Sequence, residues 1–129
     1  MGAKNINFAN LFHRQAFVSD YAKFGVGNYF GPGVIIAPDV KIGNFNNFNR
    51  NSSVGHSAEL GNFNHIGPSS TICGRTKTGD ANIFGANTTV IDDIKVNNNI
   101  TTGASTTIVS NLAEPGLYIG TPAKKSNKT

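Results

Sequence analysis

A period of six residues runs through the chain and limits its fold more than any other feature. Every sixth residue from Phe12 gives Phe12, Val18, Phe24, Phe30, Ile36 and Ile42, and the series continues without an insertion to Ile108. Fifteen of those seventeen positions are large and apolar, with Thr78 and Thr102 the exceptions, so one side chain in six is committed to an interior. Four positions beyond each, a small or β-branched residue recurs in most repeats, as at Ala22, Val34, Ser52, Ala58 and Ser70. Neither the 3.6-residue period of an amphipathic helix nor the alternation of a half-buried strand keeps such a phase over a hundred residues. A fixed period of this kind marks a repeat architecture.

A unit with one bulky interior residue and a small residue near a bend describes one side of a triangular coil, so eighteen residues complete a turn. Residues eighteen apart should then stack. Val18, Ile36, Val54, Ile72, Val90 and Ile108 form a β-branched column suited to a pleated, packed surface. Gly25, Gly43, Gly61 and Gly79 form a second column, and Asn28, Asn46, Asn64 and Asn82 a third. The glycines are expected at corners needing unusual φ/ψ, and the asparagines are expected to form a hydrogen-bonded ladder along the axis. The expected fold is all-β: a parallel β-helix of hexapeptide repeats with between five and six coils, spaced about 4.8 Å apart. Residues 1–11 form a lead-in, 12–113 the coils, and 114–129 a short C-terminal turn and basic tail.

The formal charge of +4 and pI near 9.4 favour anionic ligands without requiring a nucleic acid. Lys124, Lys125 and Lys128 supply much of the excess. With one cysteine, Cys73, there is no intrachain disulfide and no sign of an oxidising compartment. Eighteen Asn and no Trp leave little helix-forming character. No secretory pattern opens the sequence and no apolar run approaches a membrane span, so a cytoplasmic protein without membrane partners is expected.

The hexapeptide phase resembles that of the left-handed β-helix acyltransferases, and the resemblance covers roughly residues 12 to 123. Left-handedness is implied by the resemblance and not by the spacing, since it departs from the usual right-handed crossover. Within that group the stretch SVGHSAELGNFNHIGPSSTICG, residues 53–74, is similar to the active-site run of sugar acetyltransferases of the bacillosamine and sialic acid pathways. The shared features are a histidine, a second histidine nine residues on, and a glycine eighteen after the first: His56, His65 and Gly74. The resemblance implies that His56 is the general base, that the Gly74 N–H steadies the oxyanion, and that acetyl-CoA is the co-substrate without a metal. His65 would contact acetyl-CoA or the acceptor, or else hydrogen-bond across a subunit interface. The stretch EPGLYIGTPAKK is similar to the family's exit from the coils, although turn chemistry alone explains Pro115, Gly116 and Pro122. By resemblance Gly103 and Ala104 would line the pantetheine groove; anchoring of CoA phosphates is an alternative reading of the lysine column and suits the tail lysines better, Lys124 among them.

The implied function is transfer of an acetyl group to a sugar, foremost the 4-amine of a nucleotide-linked amino sugar, by a homotrimer. Sugar O-acetylation is the alternative, since one base serves both nucleophiles. Several columns admit other readings. Gly55 and Ser57 flank His56 where relatives often carry an acid, leaving Glu59 or Asp92 as substitutes or as solvated acids. Cys73, beside Gly74, reads as a small buried apolar residue rather than a nucleophile. Lys23, Lys41, Lys77 and Lys95 form a solvated column relieved by Glu59, and Phe45 and Phe63 an outward aromatic pair of the sort that marks an interface. Outward Thr71, Thr89 and Thr107 leave open a noncatalytic binder or ice-binding module. A zinc enzyme of the γ-class carbonic anhydrase kind would need three histidines; His13, His56 and His65 are poorly spaced for it. About eleven residues precede the first hexapeptide, where relatives acting on nucleotide sugars usually have a nucleotide-binding domain.

Overall fold

The computed structural model describes residues 6–127. Each hexad supplies two extended residues followed by a four-residue bend. The first extended residue points outward and the second inward, as in Lys41–Ile42, Asn47–Phe48 and Ser53–Val54. Every pair bonds in parallel to the pair eighteen residues on; Lys41 and Ile42 lie beside Glu59 and Leu60. Three parallel sheets result: sheet A with eight strands, the last of them antiparallel, sheet B with six and sheet C with five. The molecule is a left-handed parallel β-helix of five complete coils and a sixth that lacks only its sheet-C strand. A single bridge from Val96 to Leu112 stands in its place.

The inward column of sheet A begins as stacked rings: Phe12 on Phe30 at 4.9 Å and Phe30 on Phe48 at 5.0 Å between centroids, nearly parallel. Phe30, Phe48, Ile36, Ile66, Phe84 and Ile108 are fully buried, so the core is continuous along the axis. The asparagine ladder lies at the corner between sheets C and A. Asn46 Oδ1 accepts from the Asn64 N–H at 2.8 Å, while Asn46 Nδ2 donates to Gly61 O at 2.9 Å. Asn10 begins this ladder and Asn82 ends it by accepting from the Ile100 N–H. Each rung thus satisfies backbone groups that the bend leaves without a sheet partner, which is why a polar side chain is tolerated in a buried column.

The glycine column requires a correction. Gly25, Gly43, Gly61 and Gly79 do not carry the left-handed φ expected of them. The left-handed residue is the third of each bend. It is non-glycine at twelve positions from Asp39 to Ser105, with φ between 57° and 63°. Most are Asn, Asp or Ser, which adopt this conformation at lower cost, and none is β-branched. Gly43 is glycine because coils approach closely there: a Cβ would sit 2.6 Å from Gly61 O, and one on Gly61 would sit 2.7 Å from Gly79 O.

Beyond the coils, the expected turn and tail add two strands. Gly116–Ile119 extends sheet A in parallel beside Ile100–Thr102, and Lys124–Lys125 returns antiparallel to it. At the other end, Phe8 meets the Phe45 ring edge-on at 4.9 Å, tying part of the lead-in to the CA corner. The first coil is uncovered, with Phe12 47% exposed and a cavity of about 400 Å³ lined by Phe12, Val18 and Phe24. No helix of the described residues is long and apolar enough to cross a membrane.

Candidate functional site

The bend between sheets B and C stacks Pro38, His56, Gly74 and Asp92 at one position of successive coils. The same position of the bend holds Pro32 and Pro68 at the AB corner. A site that accepts proline is one whose N–H is not needed for the coil. Gly74 accordingly makes no hydrogen bond through its N–H among the described residues, although the residue is buried. Against it lies the His56 ring: a Cβ on Gly74 would be 3.0 Å from His56 Nε2 and 3.2 Å from Cδ2. Gly55 packs from below, where a Cβ would come within 2.6 Å of Gly74 N. Two glycines therefore make the space in which an imidazole nitrogen and an unspent backbone donor converge.

Arg75 is the site residue that sequence reasoning missed. It is the left-handed residue of its bend and reaches back one coil, placing Nη1 3.4 Å from His56 Nε2. Arginine has no acceptor, so this contact is a hydrogen bond only in the tautomer whose Nε2 carries no proton. Asp93, one coil above Arg75, grips the guanidinium with two bonds: Nε to Oδ1 at 2.8 Å and Nη2 to Oδ2 at 3.0 Å. Asp92 adds a longer contact at 3.6 Å. The hydrogen bond and charge of Arg75 hold the Asp93 carboxyl below the usual carboxylate range, and the guanidinium pKa rises in turn. Positions 75 and 93 are eighteen apart and oppositely charged, a signal available in the sequence. Glu59 is not the orienting acid: it lies on the outer face of sheet C, 3.7 Å from Lys77. Cys73 is half-buried rather than buried, and desolvation with the nearby Asp92 pushes its thiol pKa up, away from nucleophilic use.

The remaining candidates lie elsewhere on the prism. His65 sits half-buried on the outer face of sheet A, opposite the BC corner, between Asn47 and Ile83. Gly103 and Ala104 form the last bend at the AB corner, with Gly103 against Ile119, and Lys124 is exposed on the returning strand. One chain thus joins His56 to Gly74 and does not bring His65, Gly103, Ala104 or Lys124 to them. His13, His56 and His65 lie apart, and no cluster of three His, Cys, Asp or Glu suited to a metal occurs among the described residues. Thr71, Thr89 and Thr107 stack outward on sheet B as a column that runs on into Ser53, Ile35 and Phe17, so it is not a uniform threonine array.

No family model matches the sequence, and no curated protein does. Solved structures do. A perosamine N-acetyltransferase from Caulobacter crescentus, with one histidine changed to asparagine and bound to CoA and GDP-perosamine, is 30% identical over 95% of this chain, with a TM-score of 0.92. The acetyltransferase domain of PglB from Neisseria gonorrhoeae is 25% identical over 93% of the chain, with a TM-score of 0.90. WeeI from Acinetobacter baumannii, 17% identical over 98% of the chain with a TM-score of 0.78, shares the fold. The chain spans 58% of the length of each of these three proteins.

Proposed function

We propose that this chain is an acetyl-CoA-dependent acetyltransferase acting on the amine of a nucleotide-linked amino sugar. The observation that carries the reading is the Gly74 N–H, without a hydrogen bond among the described residues, with the His56 ring against it and Arg75 as the neighbour of Nε2. His56 takes the proton from the acceptor amine as its nitrogen attacks the thioester carbonyl. The C–N bond forms, the Gly74 N–H stabilises the oxyanion, and the C–S bond then breaks. The imidazolium returns the proton to the departing CoA thiolate. General-base assistance contributes about 10²–10⁴-fold, and one oxyanion donor about 3–4 kcal/mol. The likeness to an N-acetyltransferase crystallised with CoA and GDP-perosamine supports this choice of co-substrate and acceptor class.

The reading extends to a homotrimer. His56 stands at an exposed corner, while His65, Gly103, Ala104 and Lys124 lie on other sides of the same prism. Packing sheet A of one copy beside the BC corner of the next would bring the two groups together, as a closed cyclic assembly allows. Exposed Leu11, Tyr29 and Ile83 on sheet A suit such a contact. The test is CoA release and product mass with acetyl-CoA and a panel of free and nucleotide-linked amino- and hydroxy-sugars, with light scattering for the assembly. Turnover on an amino sugar that collapses in His56→Ala supports the reading. Transfer only to hydroxyls would make it an O-acetyltransferase, and no acetyl-CoA binding would end it.

A further inference from the structure

The corner between sheets C and A carries an aromatic stack that the chemistry at His56 does not use. Side chains on the left-handed residues of the bends lean back over the preceding coil: a Cβ on Gly27 would run into the Phe45 ring, and one on Gly33 into Asn51. Phe63 follows this rule and stacks on Phe45, with centroids 5.5 Å apart and planes 11° from parallel. The next residue in the column is Ala81, whose methyl leaves the upper face of the Phe63 ring bare, and Phe63 is 63% exposed. Both phenylalanines hold left-handed φ of 58°, a conformation costly for a bulky residue, in a column that elsewhere has Gly27, Ala81 and Asn99. The coil above breaks the neighbouring column too: Asp80 replaces the asparagine found at 44, 62 and 98. Asp80 Oδ1 accepts from the Asn62 N–H at 2.7 Å, leaving Oδ2 without a hydrogen bond among the described residues.

This corner and the His56 corner are the two ends of one face. Sheet C lies between them, and seven residues of chain separate His56 from Phe63, at most about 25 Å if fully extended. The outward residues of that face are Lys23, Lys41, Glu59, Lys77 and Lys95 in adjacent register. The bare face of Phe63, the ammonium of Lys77 and the His56–Gly74 pair all fall between the third and fourth coils. A flat ring, a cation and a reacting group are thereby offered in line across one sheet.

We propose that the sheet-C face binds a nucleoside diphosphate, with its base stacked on Phe63, its N–H edge toward Asp80 and its phosphates over Lys77, directed toward His56. Aromatic stacking suits any base, and the carboxylate favours one whose edge carries N–H donors. The inference rests on the acetyltransferase reading only for what is joined to the nucleotide. Both the acceptor and CoA contain a nucleoside diphosphate, so the test treats each separately.

Calorimetric titration of the full chain with GDP, UDP, dTDP and CoA, in the wild type and in Phe63→Ala, Phe63→Tyr and Lys77→Ala, tests it. Alanine already occupies the equivalent position at Ala81, so the truncation is compatible with the bend. Expected is a loss of about tenfold or more in affinity for a nucleoside diphosphate in Phe63→Ala, with recovery in Phe63→Tyr. Lys77→Ala should weaken binding and flatten its salt dependence. A loss confined to GDP, UDP or dTDP assigns the face to the acceptor, and one confined to CoA assigns it to the co-substrate. The proposal is overturned if no nucleotide binds, if affinity is indifferent to Phe63, or if Phe63→Ala changes only the oligomeric state. Nucleotide binding that depends on Phe63 without acetyl transfer would keep the face and remove the acetyltransferase reading. Transfer with the KM for both the acceptor and acetyl-CoA unchanged in Phe63→Ala would do the reverse.

Discussion

Gly74→Ala separates the catalytic and structural demands on the BC corner. The added Cβ would stand 3.0 Å from His56 Nε2 and 3.2 Å from the His56 carbonyl oxygen. The backbone oxygen has little room to give, so the imidazole must swing away, by about half an ångström to restore ordinary contact. Because a misplacement of about 1 Å can cost 10²-fold, kcat/KM should fall by roughly ten- to a hundredfold. Folding should hardly change: Gly74 does not have a left-handed φ, so alanine loses less chain entropy on folding, a gain of about 0.4–1 kcal/mol set against the displaced ring. Gly43→Ala is the contrast, since its Cβ would meet Gly61 O at 2.6 Å and force coils apart, at a cost of about 2–4 kcal/mol. Urea melts with CoA-release kinetics read both quantities. In the double variant His56→Ala/Gly74→Ala, the second change should add little, because its effect passes through a ring no longer there. Activity of Gly74→Ala within twofold of the wild type, or full additivity with His56→Ala, would refute the reasoning.

Other consequences are as specific. Asn46→Ala removes an acceptor from the Asn64 N–H and a donor to Gly61 O inside the buried ladder, and should cost about 2–4 kcal/mol in a urea melt. Arg75→Ala should lower kcat/KM by about tenfold through a freer His56 ring, with Arg75→Lys recovering little because a lysine cannot reproduce the fork held by Asp93. Asp93 has a lowered folded pKa, so its contribution to stability is complete above the ordinary carboxylate value and fades as pH falls through the lowered one. The Tm gap between wild type and Asp93→Asn should therefore close in acid. It should be small and sensitive to salt, because the pair is exposed, and a gap constant with pH would contradict it.

How much was legible follows from arithmetic. Hexads of equal length without insertions make residues eighteen apart neighbours, so the interior columns, the asparagine ladder and the nearness of His56 to Gly74 are already in the sequence. The glycine column shows the limit. Spacing places Gly43 at a corner but cannot say whether close backbone approach or a left-handed φ demands it, and the left-handed residue proved to be two positions later. The absence of β-branched residues from that third position was the available signal.

The sequence by itself determined the β-helix, its coil number and which residues share a column, because each hexad contributes the same advance and one third of a turn to a coil that closes after three. Only the tertiary structure decided how side chains use those columns. It gave Arg75 rather than Glu59 to His56, because a long side chain on a left-handed residue leans back one coil while a strand residue points straight out. It also placed Lys124, on the strand that returns beyond the coils, on another side of the prism from His56, where the eighteen-residue count no longer applies because the chain has left the helix.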